Sequence, residues 1–71
     1  MAAEDPSNVL ARTAVQGLVH AHATLNSSLY LVTRAEVDAR MAEKSSPNWA
    51  TARKSIQDAA ANVEKLIKEF H

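Results

Sequence analysis

From Thr13 to Thr33 the chain carries no Asp, Glu, Lys or Arg, and Arg12 and Arg34 bound the run. A surface helix of a small soluble domain places charge on its wet face about once per turn. Twenty-one consecutive residues with none predict a segment covered on more than one side. A bilayer is one possible cover, since about 20 residues span its hydrocarbon core. Gln16, His20, His22, Thr24, Asn26, Ser27 and Ser28 all lie inside the run, and each is costly in lipid. Packing against other helices accounts for both the missing charge and the retained polarity. Ala14, Gly17, Ala21 and Ala23 would let those helices approach closely.

Composition narrows the cover further. The chain has 71 residues, enough for one domain whose core supplies only a few kcal/mol. It has no Cys to staple that core, and 14 of its hydrophobic residues are Ala, each burying little. Part of the stability is therefore expected from a second chain. Eight basic residues balance eight acidic ones, so no long-range field draws the chain to nucleic acid or an anionic membrane. The first residues, "MAAEDPSN", lack the basic start and apolar run of a signal peptide. A cytoplasmic protein is the default expectation, with a nuclear one beside it.

A single Gly and abundant Ala, Leu, Lys and Glu favour helices over strands. Asp5 before Pro6 reads as a helix start, with the carboxylate as cap and proline at the first helical position. Ser46 before Pro47 repeats that grammar and places a turn near Lys44 to Ser46. In the last segment Trp49, Ala52, Ile56, Ala59, Val63, Leu66 and Phe70 recur at steps of three and four, with charge kept away from them. That pattern is a core face, and Trp49 belongs to it rather than to a cofactor.

The first part is less regular. Ala11, Ala14, Val15, Leu18, Ala21, Leu25, Leu29 and Val32 share a face, whose continuation reads Glu36, Arg40 and Glu43. Apolar positions then move round to Tyr30, Val37 and Met41, with Leu31, Ala35, Ala39 and Ala42 on another side. Asn26, Ser27 and Ser28 prefer caps and turns, and Thr33 with Glu36 has the spacing of a capping box that restarts a helix. The expected fold is all-α: a bundle of three segments, about 6–26, 28–44 and 47–70. Its alternative is an antiparallel two-helix hairpin whose first helix runs 6–44. Residues 1–5 are expected to form a disordered tail ahead of a single domain, 6–71.

Chemistry finds little foothold. His20 and His22 stand two apart, about 200° round a helix, and neither has a His, Asp or Glu three or four residues away with which to chelate. A Ser-His-Asp triad needs a strained turn and an oxyanion hole that a chain with one glycine can scarcely build. Glu36, Asp38 and Glu43 spread to different sides of a helix near Arg34 and Arg40, and read as solvated ion pairs. No Gly-rich phosphate loop is present, so no cofactor is implied. Arg40, Lys44, Arg53 and Lys54 cluster near the turn without interleaved aromatics. Ser46-Pro47 has the form of a proline-directed phosphosite, and "NSS" at 26–28 matches a glycosylation acceptor that is idle without secretion.

The expected function is therefore a non-enzymatic protein-protein interaction module or small subunit of a helical assembly. Its uncharged first helix would present Val15, Leu18, His22, Leu25, Leu29 and Val32 to a partner or a second copy. His22 within that seam reads as a packed imidazole with one hydrogen bond, the alternative being a switch that makes assembly sensitive to acid. The alternatives are a small nucleic-acid-binding helical domain, or a metal carrier whose histidines meet across an oligomer interface.

Overall fold

A computed structural model of the chain describes residues 6–70 and contains two helices, α1 over Pro6–Met41 and α2 over Asn48–Phe70. They pack on each other as an antiparallel hairpin. There is no strand among the described residues. The expected tail over 1–5, the Asp5 cap and His71 lie outside them.

The three-segment bundle does not form. The break expected around Asn26 to Ser28 is absent, and one helix of 36 residues runs through it. Asn26 and Thr33, two of the side chains expected to interrupt it, bond one turn back along the helix instead, as do Thr13 and Thr24. Thr13, Thr24 and Thr33 donate their hydroxyls to the carbonyls of Val9, His20 and Leu29, at 3.0, 3.0 and 2.8 Å. Asn26 Nδ2 lies 3.4 Å from His22 Nδ1. Bonding of this kind removes the competition such residues normally offer to the helical ladder. With Thr33 engaged by Leu29, no capping box restarts a helix there, and no Pro or Gly stands between Gly17 and Pro47. The chain takes the two-helix form, with α1 ending at Met41 rather than near Lys44.

The end of α1 is closed by backbone bonds. Glu43 N–H donates to the Arg40 carbonyl at 2.9 Å and Lys44 N–H to the Ala39 carbonyl at 2.8 Å. This is the Schellman pattern, whose turning residue takes the left-handed conformation and is most often glycine. Here Glu43 fills that position at φ 60°. The start of α2 follows the expected grammar: Ser46 Oγ accepts the Asn48 N–H at 3.1 Å, next to Pro47.

At 1.5 Å per residue α1 is about 54 Å long and α2 about 35 Å. Phe70 accordingly reaches only the level of Arg12, Val15 and Gln16. The result is a rod, 65 × 15 × 11 Å. Two helices side by side cover one flank of each other, and no hydrophobic residue is buried among those described.

Candidate interaction surface

The side of α1 facing α2 is a continuous heptad stripe. Ala11, Val15, Leu18, His22, Leu25, Leu29, Val32, Glu36 and Ala39 alternate in steps of four and three, and all are half-buried except Glu36, which is buried. All six residues singled out from the sequence, Val15, Leu18, His22, Leu25, Leu29 and Val32, stand in this line. On α2 the matching line is Trp49, Ala52, Ile56, Ala59, Val63 and Ile67, again half-buried. A repeat of 3.5 residues keeps two helices in contact along their length. The seam is thus one helix thick on each side and open along both edges.

The phase slip read after Val32 is not a slip. Glu36 continues the stripe in register, and it is the one buried residue of those described, 8% exposed. The expectation of a solvated ion pair fails there because the seam needs an occupant at that heptad position and α2 supplies a cation for it. Arg53 NH1 pairs with Glu36 Oε1, and Arg40 NH2 lies 2.8 Å from Glu36 Oε2. One carboxylate is therefore held from its own helix and from the partner helix together. A buried charge is tolerated when paired and hydrogen-bonded, and this contact places Glu36 and Arg53 at one level of the two helices. By heptad steps it brings Ile56 level with Val32 and Val63 level with Leu25.

A second stripe on α1 has no cover. Each of its members directly follows a seam residue and so is turned about 100° away from α2. Val19 follows Leu18, Ala23 follows His22, Tyr30 follows Leu29 and Val37 follows Glu36, while the polar Arg12, Gln16, Asn26 and Thr33 complete the same line after Ala11, Val15, Leu25 and Val32; Met41 lies one turn beyond Val37. Val19 is 52% exposed, Tyr30 64% and Met41 80%, and Val37 is also exposed. On the opposite flank, Leu10 and Leu31 are exposed beside Gly17, where an added Cβ would meet nothing within 4 Å.

The remaining candidates separate rather than converge. His20 is exposed and His22 half-buried, on different sides of α1. Among the described residues no three His, Cys, Asp or Glu side chains group as they would around a metal ion. Of the four basic residues near the turn, Arg40 and Arg53 are engaged by Glu36, and Lys54 Nζ lies 3.2 Å from Asp58. Arg34 with Asp38 and Lys68 with Glu64 form further exposed pairs one turn apart. Ala39, Trp49 and Ala52 floor an open hollow of about 390 Å³ at the turn, edged by Lys44, Ser46 and Asn48. No described helix is long and apolar enough to cross a membrane.

Sequence reasoning missed the role of Glu36 and Arg53. The signal was present: the four-three spacing runs without interruption from Ala11 to Ala39 once Glu36 is allowed a seam position. No protein-family model matches the chain, and neither a curated protein nor a solved structure is significantly similar to it.

Proposed function

We propose that the chain is a non-enzymatic interaction module, a helical hairpin that becomes a packed bundle when α1 meets a partner chain or a second copy. The observation that carries this reading is the absence of any buried hydrophobic side chain among the described residues, beside exposed Val19, Tyr30, Leu31, Val37 and Met41. Half-covered apolar surface leaves free energy unclaimed, at about 25 cal/mol per Å². Val15, Leu18, His22, Leu25, Leu29 and Val32 then serve as the spine on which the assembly is built, gripped from one side by α2 and open at the seam's edges to the incoming helices. The nucleic-acid alternative is weakened by the pairing of Arg40, Arg53 and Lys54 with acidic side chains.

The test is thermal unfolding followed by helical circular dichroism across a wide dilution series. A chain completed by association melts early and broadly when dilute, and its midpoint rises with concentration or with added partner. A sharp midpoint, independent of concentration and within the ~45–65 °C usual for self-sufficient mesophile domains, would overturn the reading.

A further inference from the structure

The occupant of the uncovered stripe is a second copy of this chain: we infer that two hairpins associate antiparallel through Val19, Ala23, Asn26, Tyr30 and Val37 of α1, forming a four-helix bundle. The inference rests on the reading of α1 as a helix completed by another chain, and it goes further by naming that chain, the face and the register.

Area comes first. The chain exposes 5671 Å², whereas a compact monomer of its 7.7 kDa is expected to expose about 4,300 Å². The excess is more than about 1,000 Å², and a stable two-chain interface covers about 800 Å² on each partner. One further hairpin laid along α1 would remove more than half of it.

Register comes second. In an antiparallel pair of helices the two kinds of seam position face one another, and this stripe satisfies that rule against its own copy. Setting Ala23 of one chain across from Asn26 of the other puts Val19 across from Tyr30 and Gln16 across from Thr33, each layer occurring twice by symmetry. Tyr30 meets the smaller Val19, and the smallest side chain, Ala23, sits with Asn26 next to the two-fold axis, where helices approach most closely. The same register sets Arg12 of each copy across from Val37 of the other, beside the Arg34 and Asp38 pair.

Charge comes third. A helical face selected for a foreign partner usually carries flanking charges that choose the partner and its orientation. This face carries none between Thr13 and Thr33, so nothing on it repels its own image.

The experiment uses the absence of cysteine from the sequence. Chains carrying Val19→Cys and Tyr30→Cys are mixed under oxidised glutathione and compared with each variant alone and with an Ala14→Cys and Leu31→Cys mixture, which probes the opposite flank. Circular dichroism checks that every variant keeps wild-type helicity. The expected result is a disulfide-linked dimer in the first mixture at about tenfold or more the yield of any control, because association raises the local thiol concentration. Light scattering of the unmodified chain should give twice 7.7 kDa. Preferential linkage on the Ala14 and Leu31 flank, or a dimer by mass with no preference, overturns the assigned face. A monomer of low stability overturns the second copy and leaves a foreign partner standing, whereas a stable monomer removes both readings.

Discussion

Turn by turn, α2 carries Lys54, Asp58, Glu64, Lys65 and Lys68 away from its seam, whereas α1 carries no ionised group between Thr13 and Thr33. Both helices press one half-buried line of residues against the other. Behind that line α2 meets water with ion pairs such as Lys54 with Asp58 and Lys68 with Glu64. Behind its own line α1 offers Val19, Tyr30 and Val37. The proposed association rests on this contrast, because the flank that lacks Asp, Glu, Lys and Arg belongs to α1.

The seam common to both helices gives the largest effect. Leu25→Asp places a carboxylate between α1 and α2 with no described cation to meet it, at a cost of about 3 kcal/mol or more. A two-helix hairpin has only a few kcal/mol in hand. Helicity measured by circular dichroism should collapse, while Gln57→Asp on the wet side of α2 leaves it intact.

Next comes the one place where the helices share a charge. Arg53→Ala strands Glu36 with Arg40 alone, and the expected loss is about 2 kcal/mol, below the usual 3–5 kcal/mol because Arg53 is itself partly exposed. Glu36→Leu fills the same heptad position with an apolar side chain and should be neutral or stabilising. Urea unfolding of the two variants reads the asymmetry directly. Equal losses in both would mean that the pair contributes net stability rather than setting the register.

The comparison itself is sharpened by placing one new charge on each helix. Val19→Lys should weaken association about tenfold, or about 1.4 kcal/mol, and shift the native mass toward the monomer. Gln57→Lys should change stability by less than about 0.5 kcal/mol. The smallest expected effect lies where α1 stops. Glu43 holds a left-handed conformation that costs a non-glycine residue about 1 kcal/mol, so Glu43→Gly should raise the unfolding midpoint by an amount equivalent to about 0.5–1 kcal/mol.

The all-α class, the turn, the Ser46 cap and the stripe of α2 as far as Val63 were legible because each rests on local rules, propensity, proline placement and period; beyond Val63 the expected Leu66 and Phe70 are exposed and Ile67 takes the seam instead. The continuity of α1 was not, because the same side chains at Asn26, Ser28 and Thr33 serve a turn or an unbroken helix equally well. The unbroken form goes with the long-range seam, in which Glu36 finds Arg53, 17 positions further along the sequence. A buried carboxylate reads as a surface residue until its partner is known, and that partner is visible only when the chain folds back. The spine from Val15 to Val32 was legible as a face. Its division into a line covered by α2 and a neighbouring line left open required the hairpin.

Sedimentation equilibrium of the unmodified chain over about a hundredfold range of concentration reads whether α1 is completed by a second copy. The expected mass climbs from 7.7 kDa toward twice that value, with helicity rising alongside it. A fully helical species that stays at 7.7 kDa throughout would show that α1 is content in water on its uncharged flank, and would contradict the account.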